Sequence, residues 1–191
     1  MRDESLIERL KSNDENAFRE VIDMYQKPVL KIAYGYTNNF HDSDDITQDT
    51  FMSLHKNISK IKSLEHLKLF IYKVAVSRSI DFIRKNKFKK LFIRNDNTSK
   101  NYIDNIPAPG HNPEKTLSDK SLTPILKVAL NSLSAKQKSV FMLKNYEGLT
   151  INEIAKITGM GESTVKTHLF RATKSLKKAL GGPSQRGEHN E

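Results

Sequence analysis

Residues 150–172 read TINEIAKITGMGESTVKTHLFRA, and this stretch decides the fold of the second half of the chain. Thr150 and Glu153 have the S/T-x-x-E spacing of a capping box, which places a helix start at Thr150. A small alanine follows, then Gly159, where a positive φ turns the chain, and Val165 six residues later. A small residue, a glycine and an aliphatic residue at this spacing predict a helix-turn-helix.

The second helix of this pair has an outward face of polar and basic residues. With Val165, Leu169 and Ala172 inward, that face offers Glu162, Ser163, Lys166, Thr167, Phe170, Arg171 and Lys174. Residues near the start and middle of such a helix reach base edges in the major groove, and later ones meet phosphates. Arg171 suits a bidentate guanine contact, and Lys166 suits either role. The alternative is an ordinary solvated basic face.

The charge of the chain is unevenly distributed. The 191 residues have a net charge of +10, which favours a polyanionic partner, either nucleic acid or an anionic membrane surface. Residues 121–180 contain 10 basic and 3 acidic residues, whereas residues 1–85 contain 14 and 13. Two functions on two modules is therefore the simplest interpretation.

Helical periodicity covers most of the chain. Apolar residues at three- and four-residue steps predict helices over 3–38, 42–56 and 64–85. We expect Pro28 to kink or divide the first, and Asp42 or Ser43 to cap the second.

The periodicity stops at residue 86 and returns at about Leu122. Further helices are predicted over 134–146, 150–158 and 162–179, and no segment reads as a strand. The predicted fold is all-α, with two small helical domains joined by a flexible linker. The expected division is 1–85, first domain; 86–120, linker; 121–180, second domain; and 181–191, disordered tail.

Several classes of site lack their sequence signals. The chain has no cysteine, which rules out disulfides and cysteine zinc sites and fits a reducing cytoplasm. The six histidines include no pair at i, i+4, and there is no phosphate-binding loop, dinucleotide fingerprint or nucleophile elbow. We therefore expect no catalytic residue, metal or cofactor. The charged start lacks a signal-peptide core, and no run of about 18 apolar residues predicts a membrane span.

Two stretches in the first module leave alternatives open. DSDDITQDTF, residues 42–51, suits helix capping, a nuclease-type metal site or a polar docking surface, in which Asp45, Gln48 and Asp49 share a face. An EF-hand is excluded because its glycine and final glutamate are missing. In LFIYKVAVSRSIDFIRK, residues 69–85, most apolar positions suit a core. The aromatic and basic residues among them suit single-stranded nucleic acid.

These two stretches are followed by LSAKQKSVFMLKNYEGLTINEIAKITGMGESTVKTHLFRATKSL, residues 133–176. In this order and with this linker length, the three resemble the landmarks of extracytoplasmic-function sigma factors, over roughly residues 5–85 and 121–180. The resemblance implies a promoter-specificity subunit of bacterial RNA polymerase, acting in the cytoplasm with no reaction of its own. It also makes an anti-sigma protein an expected second partner.

The resemblance implies a role for each surface. The acidic helix is expected to bind the β′ coiled coil of core RNA polymerase through Asp45, Gln48, Asp49 and Phe51, and the β flap is a further expected contact. Minus-ten promoter DNA is assigned to Tyr72, Lys73, Arg78, Asp81 and Arg84, with the loop around residues 57–63, where a flipped base is captured. The minus-thirty-five element is assigned to Ser163, Lys166, Thr167, Phe170, Arg171 and Lys174.

Three positions depart from the family pattern. Phe70 stands where a tryptophan is frequent, Ser77 where an asparagine is common, and Gly161 where a serine usually caps the recognition helix. A glycine cap costs only tenths of a kcal/mol, about 0.3.

Two other classes of protein remain as alternatives. One is a regulator that binds DNA as a dimer through a similar helix-turn-helix, although its receiver or ligand domain would be α/β. The other is a recombinase or nuclease with a DNA-binding tail, which only the acidic stretch supports.

Overall fold

A computed structural model describes residues 2–95 and 124–180, and within these ranges every regular element is helical. The predicted all-α class is confirmed. The described helices are α1 (Arg2–Lys11), α2 (Glu15–Thr37), α3 (Phe40–Lys56), α4 (Leu64–Asn95), α5 (Pro124–Asn131), α6 (Ala135–Asn145), α7 (Ile151–Thr158) and α8 (Glu162–Ala179), with a short 3-10 turn at Ile58–Lys60.

Helices α1 to α4 form an N-terminal unit around a core of aliphatic side chains. Val21, Leu54, Leu67 and Ile71 are fully buried there. Each buried aliphatic side chain contributes roughly 1.5–3 kcal/mol relative to an exposed one. This packing fixes the outward faces of α3 and α4, on which the predicted partners depend.

One local prediction for the N-terminal unit is wrong, and one of the two alternatives given for Pro28 is excluded. Asn39 caps α3, because its side chain accepts from the Asp42 backbone N–H at 3.1 Å, so neither Asp42 nor Ser43 is the cap. Helix α2 continues past Pro28 instead of dividing there. The hydrogen bonds and packing of the 23-residue helix outweigh the loss of one donor.

Helix α4 is longer than its sequence pattern predicts. It continues to Asn95, ten residues beyond the predicted end at 85, so residues 86–95 are helical and not linker. They contain no proline or glycine, and lysine, leucine and arginine are good helix formers. The remainder of the predicted linker and the predicted disordered tail lie outside the described residues.

Helices α5 to α8 form the C-terminal unit and include the predicted helix-turn-helix. Thr150 and Glu153 make both hydrogen bonds of the capping box. Gly159 ends α7 with φ of +70°, and Val165 of α8 is fully buried. Gly161 is the N-cap of α8 and provides no side-chain hydrogen bond. The motif predicted from residues 150–172 is therefore confirmed.

The two units pack against each other. One buried cluster includes Ile32 and Val76 of the N-terminal unit together with Leu143, Leu149 and Ile154 of the C-terminal unit. Helix α7 lies against α4, and α5 and α6 lie against α2. The sequence predicts each unit separately but gives no indication of this shared cluster.

Candidate nucleic-acid and protein interfaces

The predicted DNA-reading face of α8 is open to solvent. All six residues assigned to the minus-thirty-five element are exposed: Ser163, Lys166, Thr167, Phe170, Arg171 and Lys174. Phe170 has 68% of its surface exposed, which is high for a phenylalanine. Val165, Ala172 and Leu176 are buried on the opposite side and hold the helix in place.

Two polar side chains of α8, Glu162 at its start and His168 further along, have environments set by neighbouring residues. Asn152 of α7 donates from Nδ2 to Glu162 Oε1 at 2.9 Å, so this carboxylate is oriented by the neighbouring helix. His168 is half-buried and its Nδ1 has no hydrogen-bond partner. Burial, with smaller contributions from Lys136 and Arg171, lowers the pKa of His168 and so favours the neutral ring.

Helix α3 presents an acidic outward face. Asp45, Gln48 and Asp49 are exposed, whereas Ile46 and Phe51 are 5% and 7% exposed. The predicted division of this helix into a polar and an apolar side is therefore confirmed. Phe51, assigned with the others to polymerase binding, lies mostly in the core.

Two grooves border this acidic face. One, of about 600 Å³, lies between α2 and α3 and is lined by Phe18, Ile22, Gln48, Phe51 and the exposed Met52. The other, of about 360 Å³, lies between α3 and α4. Helix α3 contributes aspartates to the walls of this groove, and α4 contributes basic residues.

The residues assigned to minus-ten DNA are divided between two faces of α4. Lys73, Arg78, Asp81 and Arg84 are exposed. Arg84 and Asp81 form an ion pair at 3.6 Å, and with Arg78 they line the α3–α4 groove. At 3.6 residues per turn, Asp81 lies about 180° round the helix from Tyr72.

Tyr72 faces the C-terminal unit and is 4% exposed. Its hydroxyl donates to Glu147 Oε2 at 2.6 Å, and its ring contacts Tyr25 edge-on with the ring centroids 6.1 Å apart. Burial first, and then the hydrogen bond to Glu147, raise the pKa of the Tyr72 phenol. In this arrangement DNA has no access to the ring.

Further polar contacts join the two units, and sequence reasoning missed them. Lys68 binds Glu153 at 2.9 Å, Lys156 binds Glu65 at 3.2 Å, Tyr36 Oη is 2.6 Å from Ser139 Oγ, Lys138 donates to the Gly35 carbonyl at 2.8 Å, and Asn38 donates to Asn131 at 2.9 Å. The sequence offers one signal of these contacts, which is that Lys138 and Ser139 directly precede the apolar Val140. In the structure all three are buried, and α6 is covered on most of its circumference.

The described ranges offer neither a metal-binding cluster nor a helix suited to span a membrane. Within residues 2–95 and 124–180, no cluster of three or more histidine, cysteine, aspartate or glutamate side chains could hold a metal ion. None of the helices in that part of the chain combines the length and the apolar character that a bilayer crossing requires.

Two family models match the sequence. Residues 21–89 match Sigma-70 region 2, and residues 125–176 match Sigma-70, region 4. The first covers most of the N-terminal unit, including α3, and the second covers the helix-turn-helix.

Named relatives match over most of the chain. The sequence is 30% identical over 153 residues to RNA polymerase sigma factor SigV of Bacillus subtilis, covering 80% of this chain and 84% of that protein. It is 27% identical over 177 residues to the ECF RNA polymerase sigma factor SigW of the same organism, covering 91% and 94%.

Solved structures share the fold. The chain superposes on CnrH in complex with the cytosolic domain of CnrY with a TM-score of 0.69 and 16% identity, covering 96% of this chain and 100% of that one. It superposes on the sigma factor RpoE of Bartonella quintana, solved with the anti-sigma factor NepR, with a TM-score of 0.64 and 20% identity, covering 86% and 96%.

Proposed function

Because the chain belongs to the extracytoplasmic-function sigma factors, the promoter-recognising subunits of bacterial RNA polymerase, we propose a division of labour between its two units. Residues 1–85 bind core polymerase and minus-ten DNA, and residues 121–180 bind the minus-thirty-five duplex. The protein acts in the cytoplasm with the polymerase, as an initiation factor without a reaction of its own. The observation that carries the proposal is the exposed, basic outer face of α8 on a buried helix-turn-helix core.

The acidic face of α3 is the proposed polymerase surface. Its exposed carboxylates, Asp45 and Asp49, suit a basic partner, and Gln48 adds amide donors and an acceptor. The neighbouring α2–α3 groove supplies apolar area beside these charges, since Met52 is 56% exposed at its edge. An apolar centre with a charged rim is the usual composition of a specific protein interface. Phe51 supports this surface from beneath.

The minus-ten strand is proposed to run along α4. Lys73, Arg78 and Arg84 are exposed and supply phosphate contacts. Asp81 forms an ion pair with Arg84 at 3.6 Å. Tyr72, the aromatic group of the set, lies on the opposite side of α4 beneath the C-terminal unit, so it could stack with a base only if that unit moved away.

The minus-thirty-five duplex is proposed to receive α8 in its major groove. Arg171 is positioned to read guanine, and Phe170 to contact a thymine methyl group. Glu162 is the acidic residue at the start of this face, and Asn152 orients it. A carboxylate accepts a hydrogen bond from the cytosine amino group, so we propose that Glu162 favours cytosine at one position.

An anti-sigma protein is a further proposed partner. Both structural neighbours described above were solved in complex with a second protein, and for RpoE that protein is named an anti-sigma factor. An inhibitor of this kind would act on the same surfaces that polymerase and DNA require.

The polymerase assignment is tested by binding to core enzyme. Asp45→Arg together with Gln48→Ala is expected to weaken the binding of core polymerase, measured by fluorescence anisotropy of labelled protein. Asp23→Arg is the matched control, because Asp23 is an exposed acid on α2 that lines neither of the grooves beside this face. Unchanged core affinity in the α3 variant would show that the docking surface is elsewhere.

The promoter assignment is tested by transcription with core polymerase on a library of randomised minus-thirty-five sequences. Arg171→Ala is expected to relax the preference at one position by about 5–150-fold, which corresponds to the 1–3 kcal/mol of a bidentate contact. Lys178→Ala, in the last turn of α8, is the control and is expected to weaken binding uniformly. An unaltered preference after Arg171→Ala would place the recognition face elsewhere.

A further inference from the structure

We propose that the C-terminal end of α4, residues 84–95, binds the phosphates of the promoter duplex directly upstream of the minus-ten element. We call this segment the basic extension. The inference rests on the function proposed above, because it lengthens the minus-ten surface of α4 toward the minus-thirty-five element. Part of the segment, residues 90–95, lies beyond the end of the match to Sigma-70 region 2 at residue 89.

The basic extension differs in charge from the rest of its helix. It reads RKNKFKKLFIRN, with six basic residues and no acidic one, whereas residues 64–83 contain three basic and two acidic residues. Blocks of like charge repel one another and are typical of segments that bind nucleic acid. The helix therefore ends in an excess of positive charge, for which a polyanion is the complementary partner.

The beginning of the basic extension is open to solvent. Arg84 and Lys85 are exposed, and Phe88 has 62% of its surface exposed. Arg84 is paired with Asp81, and Lys85 lines the α3–α4 groove, to which α3 contributes aspartates. These acids offset part of the charge at the start, so the excess lies in residues 86–95, which contain four bases. We therefore expect the phosphate contacts beyond the residues already assigned to minus-ten DNA.

The order of the chain directs the basic extension toward the minus-thirty-five element. The minus-ten residues Lys73 and Arg78 precede it in α4, and the C-terminal unit, assigned to the upstream element, follows it. From Arg84 to Asn95 the helix rises about 16 Å at 1.5 Å per residue, which is the length of about five base pairs. The extension can thus cover about five base pairs of duplex upstream of the minus-ten element.

A duplex fits the spacing of these bases better than a membrane surface does. At 100° per residue, the six basic positions are distributed round the whole circumference of the helix. A helix that lies on a membrane collects its basic residues on one face and its apolar residues on the other. A helix in a groove of DNA has phosphates on both of its sides, so bases all round it can be used.

Neutral substitutions in the basic extension test the proposal. Lys87→Ala with Lys89→Ala and Lys90→Ala removes three charges and preserves the helix, because alanine is the strongest helix former. Binding of a labelled promoter duplex by the protein with core polymerase is measured by fluorescence anisotropy at several salt concentrations. Each phosphate contact contributes about 0.9 to the slope of log affinity against log salt, so the slope is expected to fall by about two to three.

The same slope predicts a change in affinity that is large enough to measure. Between about 50 and 200 mM salt, the wild-type protein is expected to lose about 15–40-fold more affinity than the variant. The preference for promoter sequence is expected to stay the same, because phosphate contacts carry no sequence information. The matched control removes three exposed lysines of α1 and α2, by Lys11→Ala, Lys27→Ala and Lys31→Ala, and is expected to retain the wild-type slope.

Neutral linkages in the DNA locate the contact. Methylphosphonates in the first five or so base pairs upstream of the minus-ten element are expected to weaken binding of the wild-type protein. They are expected to have little further effect on the variant of the basic extension, because both changes remove the same contacts. Methylphosphonates in the next five or so base pairs upstream lie beyond the reach of the helix and should affect both proteins equally.

Three results overturn the proposal while the sigma assignment stands. The first is a wild-type salt slope in the variant of the basic extension, and the second is an equal fall of the slope in the α1–α2 control. The third is weaker binding to phosphatidylglycerol vesicles with unchanged binding to the promoter, which would assign the extension to a membrane surface. If wild-type protein with core polymerase does not distinguish the promoter from random DNA, the sigma assignment is refuted and this inference falls with it.

Discussion

Replacement of Glu147 by alanine is expected to open the interface between the two units. Glu147 lies in the turn after α6 and accepts the Tyr72 hydroxyl at 2.6 Å. Its removal leaves a hydroxyl without a partner on a side chain that is 4% exposed. An unsatisfied buried polar group costs about 1–3 kcal/mol, and partial access of water at the interface favours the lower half of that range. We call the protein docked when its two units are in contact and separated when they are not. A cost of one to two kcal/mol lowers the ratio of docked to separated protein by a factor of about 5–30.

The populations can be measured by energy transfer between two dyes. Lys60→Cys and Lys177→Cys place the dyes on exposed positions of different units in a chain without natural cysteines. Glu147→Ala is expected to increase the low-transfer population. Glu162→Ala, which removes the same charge from the exposed start of α8, is the control.

A double-mutant cycle separates the hydrogen bond from other effects of the substitution. Tyr72→Phe removes the donor and keeps the ring, so adding it to Glu147→Ala is expected to recover part of the docked population. The reasoning is refuted if Glu147→Ala leaves the distance distribution unchanged, or if Tyr72→Phe adds its full cost in the Glu147→Ala background.

Further predictions concern stability, pH and sequence preference. Val165→Ala is expected to lower the free energy of unfolding of the C-terminal unit by about 2 kcal/mol, measured by urea denaturation, because the side chain is fully buried. Burial lowers the pKa of Lys138 from 10.5 to about 8, so the docked form binds fewer protons and docking is expected to strengthen as pH rises from about 8 to 10. Above pH 10 docking should weaken, because burial raises the pKa of Tyr36 and its hydroxyl therefore ionises first in the separated form. Energy transfer between the two dyes measures both the rise and the fall of the docked population with pH. Glu162→Gln is expected to exchange a preference for cytosine for one for adenine at a single position in the promoter library.

Local chemistry made the helix-turn-helix predictable from the sequence. The capping box, the glycine with positive φ and the buried valine each depend on residues within one short stretch. The outward face of α8 followed from the same spacing, and so did the polar face of α3. Their roles toward DNA and polymerase stay predictions.

Contacts between distant segments were not predictable in this way. Lys138 and Gly35 are far apart in sequence, and a lysine in a helix is usually solvated, so nothing local indicates that its ammonium group meets a carbonyl of α2. The position of Tyr72 beneath the C-terminal unit has the same origin. The extension of α4 to Asn95 was missed because asparagine and lysine weaken the apolar periodicity without preventing a helix.

Glu153 shows how the units can part without damage to either. One carboxylate oxygen, Oε2, bonds the Thr150 backbone and hydroxyl, while the other, Oε1, holds Lys68. The bonds to Thr150, with Lys68 second, lower the pKa of Glu153 to about 2, so the group stays ionised in either arrangement. Rupture of the lysine contact releases one oxygen to water and leaves the start of α7 intact. The capping box at the start of α7 therefore needs no contact with the N-terminal unit, and separation of the two units would require no refolding of this helix.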